Sequence, residues 1–258
     1  MRVSLYEGHS TFRSSPKSKL TSRTLSPKQR FERENRLYTY FLLRPIGRWW
    51  LRWAVKLGIA PNQVSLATLL AVVVGLALVA TGGKALALSG VLVLHVGLVL
   101  DNLDGDLARV TGRTSPKGEF LDAIIGYAYG SLVLPAVGMG VARGPDLAID
   151  TFTNIVEIES GIFVLVGLWA GIVFALTRLV SLRFRMIFGT SLGVGSGKLR
   201  RLSLNLVDVL PLLLLIGAGV SVMSVVLVMY AAYYLAGLIY NTLACYARAG
   251  SGISGNQG

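Results

Sequence analysis

The stretch Ala85–Arg109, ALALSGVLVLHVGLVLDNLDGDLAR, decides how the rest of the chain is read. From 85 to 100 it is apolar or small except for Ser89 and His95, and it then runs without a break into Asp101, Asp104 and Asp106. The span drawn at 85–108 is long enough for a helix to cross a bilayer, which takes about 20 residues for about 30 Å of hydrocarbon. Ionised carboxylates at membrane depth are costly and mark a function by default. Asp101 and Asp104, three positions apart, share a helix face, and Asp106 points away from it. Beyond a short basic linker, Gly118-Glu119-Phe120-Leu121-Asp122 opens the next apolar run. Five of the 13 acids therefore fall within 22 residues, at the facing ends of two consecutive spans.

Working outward, six apolar stretches emerge, at about 62–81, 85–108, 117–140, 159–182, 204–220 and 222–247, punctuated by Pro61, Gly82–Gly83, Gly144–Pro145 and Gly217-Ala218-Gly219. Lipid cannot satisfy a free strand edge, so these runs predict helices. Composition agrees: 53% of the 258 residues are hydrophobic and 15% charged, where a soluble domain carries about 25% charged residues. The fold class expected is an all-α integral membrane protein with six transmembrane helices, forming one domain over 59–248. The lone Cys245 sits in an apolar run and reads as packing.

The formal net charge is +12, from 25 Lys and Arg against 13 Asp and Glu, and thirteen of those basic residues precede position 57. Ahead of apolar spans, such a segment reads as attraction to anionic lipid and not to nucleic acid. Residues 1–30, rich in Ser, Thr, Lys and Arg, predict a disordered cytoplasmic tail, and their lack of an apolar core predicts no cleavable signal peptide. Residues 31–58 interleave Leu37, Tyr40, Phe41, Trp49, Trp50 and Trp53 with basic residues, the pattern of an amphipathic helix lying in the membrane interface, broken or bent at Pro45. Residues 249–258 read as a flexible tail. The linkers 109–117 and 178–201 are basic and the alternate ones are not, so the positive-inside rule places the N-terminus, both basic linkers and the acid cluster on the cytoplasmic side of the cytoplasmic membrane.

Clustered carboxylates repel unless a cation neutralises them. With no Cys or His among them, hard oxygen donors suit Mg²⁺, Mn²⁺ or Ca²⁺. Gly105, Ala108 and Gly118 leave room for a ligand against the backbone, unless they serve close helix packing instead. Arg109 suits a phosphate oxygen. Together, Asp101, Asp104, Gly105, Ala108, Arg109, Gly118 and Asp122 stand in the pattern D-x2-D-G-x2-A-R-x8-G-x3-D. That pattern resembles the signature of the CDP-alcohol phosphotransferases, membrane enzymes of phospholipid headgroup transfer. The run Gly58-Ile59-Ala60-Pro61-Asn62-Gln63-Val64-Ser65 is similar to the start of that family's first span, so the likeness extends over about 35–248. The resemblance implies transfer of a phosphatidyl-type group from a CDP-linked lipid, such as CDP-diacylglycerol, to an alcohol or phosphorylated alcohol, with release of CMP. It implies Mg²⁺ or Mn²⁺ on Asp101, Asp104 and Asp122, a CDP site at Gly105, Ala108, Arg109 and Gly118, and a homodimer in membrane lipid.

The family pattern continues with a fourth Asp, taken as metal ligand and base, and here that position is Gly126. Three accounts follow. Glu119 or Asp208 substitutes as the base; the chain works with one metal and little base assistance; or it is a degenerate member that binds CDP-lipid and metal without turnover. Arg178, Arg183 and Arg185, closing the fourth span, are candidates for an acceptor phosphate or for simple membrane anchoring. His95 reads as a hydrogen-bonded core residue, Gly193-x-Gly195-x-Gly197-Lys198 as a linker, and Tyr230, Tyr233, Tyr234 and Tyr240 as packing or interface aromatics.

Overall fold

The computed structural model describes residues 36–147, 159–189 and 197–253, and the basic segment 1–30 lies outside them. Among the described residues there are helices and no strand. A π-helical turn, Thr39–Leu43, leads into α1 (Arg44–Lys56). Then follow α2 (Pro61–Ala80), α3 (Lys84–Thr111), α4 (Pro116–Arg143), a short 3-10 turn (Pro145–Leu147), α5 (Gly161–Phe188), α6 (Gly197–Gly219) and α7 (Met223–Ile253). Helices α2, α3, α4, α5 and α7 are each long and apolar enough to cross a membrane, and the chain is an all-α integral membrane protein. The expected fifth span corresponds to α6, whose apolar part, Leu206–Gly219, is shorter than the other five. Helix α7 continues to Ile253, into the segment read as a tail.

Pro45 does not break the first helix. The amide of Arg44 bonds to Thr39 O, the wider spacing of a π turn, and Pro45 then falls in the first turn of α1, where its missing donor is not needed. Trp49, Trp50 and Trp53 are exposed along α1. Arg44, expected among the interfacial charges, is only 3% exposed, because its Nη1 donates to Asp106 at 2.9 Å.

Local sequence explains how α3 returns as α4. Gly112 adopts φ +69°, the left-handed conformation that ends helices, and Arg113 N closes back on Ala108 O at 2.9 Å. Ser115 then caps α4 by accepting from Gly118 N at 3.1 Å, with Pro116 in the first turn. The linker is short, so the start of α4 stays close to the end of α3, while α4 packs along α2 and α5.

Small residues set the helix spacing. The backbones of α2 and α3 approach at Gly75 and Gly90, where a Cβ on Gly90 would lie 2.7 Å from Gly75 O. Helices α4 and α5 meet the same way: a Cβ on Gly167 would lie 2.6 Å from Leu134 O, and one on Gly138 would overlap Phe163 O. Close approach of this kind gives membrane helices their packing contacts. Gly138 faces Phe163 and Gly130 faces Phe174, so α5 runs antiparallel to α4 and returns to the end of the bundle where α4 begins.

Candidate active site

At that end, α2 begins, α3 finishes and α4 begins around one cavity of about 280 Å³. Helix α3 contributes Asp101, Asn102, Asp104, Gly105, Ala108 and Arg109. Helix α4 contributes Gly118, Glu119 and Asp122. The start of α2 adds Pro61, Asn62 and Ser65, the linker adds Arg113, Thr114 and Ser115, and Arg36 reaches in from ahead of the π turn. Every residue in the sequence pattern, with Glu119, thus lines a single space.

The acids differ in setting. Asp104 is buried, and Ser65 Oγ donates to its Oδ2 at 2.6 Å. Asp101, half-buried one turn earlier on α3, interacts with both Asp104 and Asp122. Asp122 and Glu119 are exposed and lie on α4 one turn apart. Asp106 is not in the lining; it accepts hydrogen bonds from Arg44 and from Arg109. That contact tethers the Arg109 guanidinium beside the cavity.

Gly105 and Gly118 are not helix-packing glycines. The nearest atom to a Cβ on Gly105 would be Arg109 Nη2 at 3.4 Å, and on Gly118 it would be Ser115 Oγ at 3.4 Å. Both would meet polar side chains of the cavity instead of a neighbouring backbone. The N-termini of α2 and α4 also open here. The positive dipole ends of these helices favour an anion.

Three carboxylates of hard oxygen donors are the right chemistry for Mg²⁺ or Mn²⁺. As the side chains stand, however, no group of three or more Asp, Glu, His or Cys among the described residues is gathered tightly enough to hold a metal ion.

Asp208 and Gly126 lie apart from the lining. Asp208, weighed as a substitute base, is buried in α6 and accepts from Thr39 N at 2.9 Å, from Thr39 Oγ1, and from Arg36 Nε at 3.3 Å. Three donors already occupy it, and it holds the N-terminal helical segment to the bundle. A Cβ on Gly126 would meet nothing within 4 Å. Arg178 stacks over Phe174 at 5.1 Å, and neither it nor Arg183 nor Arg185 lines the cavity. Of the glycine-rich run, only Gly197-Lys198 falls within the described residues, opening α6.

Sequence reasoning missed Arg36 and Ser65 as site residues. Ser65 left a faint signal, a hydroxyl just inside an apolar span. Arg36 left none, being one of many basic residues ahead of the spans.

His95 is hydrogen-bonded, its Nδ1 2.7 Å from Val91 O, and Tyr38 lies edge-on to it with ring centroids 6.0 Å apart. Both face a second, apolar cavity of about 270 Å³, walled by Leu42, Ile46, Trp50, Leu92, Val96 and Leu100. Burial, with the Asp208 carboxylate adding to it, pushes the Tyr38 phenol up to about 12, so it stays protonated.

The family model described as CDP-alcohol phosphatidyltransferase matches residues 58–238. No curated protein matches the chain. The match covers most of the sequence, including the whole acid-lined part of the cavity, and the chain belongs to that family.

Proposed function

From that membership we propose that the chain transfers a phosphatidyl-type group from a CDP-linked lipid, CDP-diacylglycerol or a similar donor, to an alcohol, releasing CMP. The observation that carries this reading is the gathering of Asp101, Asp104, Gly105, Ala108, Arg109, Gly118 and Asp122 around one cavity. The apolar cavity between the N-terminal helical segment and α3 supports a lipid donor. Leu100 lines it and the next residue, Asp101, lines the polar one, so an acyl chain and a diphosphate can be held side by side.

In this reading Asp101, Asp104 and Asp122, once drawn together, would hold Mg²⁺ or Mn²⁺, and the ion would supply neutralisation of charge on the diphosphate. Gly105, Ala108 and Gly118 let the nucleotide lie against backbone, and Arg109 pairs with a phosphate oxygen. Glu119 takes the proton of the acceptor hydroxyl, because it lines the cavity and Asp208 does not. The acceptor oxygen forms a bond to the β-phosphorus, the bond from that phosphorus to the bridging oxygen breaks, and CMP leaves with the electron pair.

One observation favours a second reading. Gly126 offers neither a ligand nor a base, as in a degenerate member that binds CDP-lipid and metal without turnover. The two readings separate when purified protein is given CDP-diacylglycerol, Mg²⁺ or Mn²⁺, and a panel of alcohols and phosphorylated alcohols. Acceptor-dependent CMP release supports the transferase; nucleotide binding with background release for the whole panel supports the binder. We place the site on the cytoplasmic side of the cytoplasmic membrane from the basic linkers. In sealed cells carrying Cys245→Ala, an impermeant thiol reagent should then label Asp146→Cys and spare Lys117→Cys; the reverse pattern refutes the orientation.

A further inference from the structure

We infer that Arg36, held in place by Asp208, is a phosphate-binding arm of the active site, supplied by a part of the chain that lies before the family-matched residues. The inference rests on the transferase site described above and adds a ligand group to it. The match begins at residue 58, so neither Arg36 nor the π turn belongs to the matched portion.

The geometry of the clamp is the first argument. The Asp208 carboxylate is 1% exposed and the Arg36 side chain 45%. A carboxylate buried within an apolar helix is costly unless it is paired. Thr39 alone satisfies it twice, through N and Oγ1. Arg36 adds one contact only, through Nε. An arginine used as a staple presents its two-pronged face to the carboxylate. Here that face is left over. Nη1 and Nη2 donate to no acceptor among the described residues, and the side chain lines the polar cavity. Asp208 is thus a positioning residue: it fixes the direction of the guanidinium and leaves its donors for something else.

Location is the second argument. Arg36 shares the polar cavity with Asp101, at the inner end of the α3 acid ladder. Arg109 enters the same cavity from α3, its guanidinium folded back beside Gly105 and held by Asp106. Arg36 is also two residues from Tyr38, which walls the apolar cavity. Arg109 is thus already tethered by a carboxylate through a terminal nitrogen, whereas Arg36 is held through Nε alone. A guanidinium with free donors in that cavity, beside carboxylates suited to metal, recognises phosphoryl oxygens. They belong either to the lipid-linked phosphate of the donor or to a phosphorylated acceptor.

Binding to the full-length protein in detergent with Mg²⁺ tests this, using CDP-diacylglycerol in mixed micelles, CDP, and glycerol 3-phosphate as probes. Arg36→Gln should weaken at least one of them by about tenfold or more, the usual size for a lost hydrogen bond to a charged group. Arg36→Lys should recover part of the loss. Asp208→Asn should weaken the same probe less, since the arm remains but is no longer aimed. A loss confined to CDP-diacylglycerol and CDP assigns the donor phosphate; a loss confined to glycerol 3-phosphate assigns the acceptor. Thr39→Val loosens the clamp without touching Arg36, and its unfolding midpoint reports the purely structural share. If Arg36→Gln does not fold, Arg36→Lys carries the test, with a weakening of more than twofold expected. Affinities for all three probes within twofold of wild type, in folded Arg36 variants, overturn the arm while leaving the transferase reading intact. A wild-type chain that binds none of the probes overturns both.

Discussion

Gly144 and Gly105 sit at opposite ends of the bundle and are small for opposite reasons. At the end where α2 turns into α3, a Cβ on Gly144 would overlap Gly82 O, Arg143 Nη1 donates to Ala80 O at 2.8 Å, and Lys84 Nζ donates to Ser221 Oγ at 3.1 Å. Backbone meets backbone, and the basic groups there are taken up by protein oxygens. At the other end, Gly105 and Gly118 face a cavity, and their neighbours are Arg109 and Ser115 side chains. One end is closed by glycine; the other is kept open by it. Glycine marks a ligand site only where an added Cβ would meet open space or polar side chains, and sequence alone does not distinguish the two uses.

The comparison breaks first on chemistry. Asp104→Asn, at the open end, should lower CMP release by about 10²-fold or more while the protein stays folded, because it removes one of the carboxylates proposed to hold the metal that neutralises the diphosphate. An unchanged rate would detach the acids from the reaction. Glu119→Gln should lower release by about 10²-fold or more, the lower range for a lost general base. In that case Gly126→Asp does little. If Gly126→Asp instead raises the rate and Glu119→Gln is silent, Glu119 is not the base.

Stability sharpens the contrast from the other side. Gly138→Ala forces a methyl into Phe163 O and should lower stability by about 1–3 kcal/mol, read as a drop in unfolding midpoint in detergent. Gly126→Ala, with nothing within 4 Å of the new methyl, should change it by less than about 0.5 kcal/mol. Equal effects at the two positions would contradict the packing described.

The sequence made the spans legible because apolar runs in lipid have one secondary structure open to them, and because Pro61, Gly82–Gly83 and Gly144–Pro145 punctuate them in ways local chemistry dictates. It made the acids legible because charge at membrane depth is so rarely placed without cause. Long-range pairing was not legible. Arg36 and Asp208 are 172 positions apart, and nothing in the run 204–220 announces that its carboxylate holds the other end of the chain. Arg44 looked like one more interfacial charge; only the fold shows Asp106 neutralising it in a buried position. The extent of α7 was misjudged for a related reason. The run 249–252, Ala-Gly-Ser-Gly, is small and polar enough to read as a tail, while the helix it continues extends to Ile253.

We propose that the open end of the bundle is a metal and nucleotide site. The unfolding midpoint of the purified wild type and of Asp104→Asn, with EDTA, with Mg²⁺, and with Mg²⁺ plus CDP, tests it most directly. The account predicts that the wild-type midpoint rises with Mg²⁺ and again with CDP, by about 2.7 kcal/mol of stabilisation at a hundredfold excess over Kd. Both rises should be missing in Asp104→Asn. A wild-type midpoint indifferent to metal and nucleotide, or equal rises in Asp104→Asn, would contradict it.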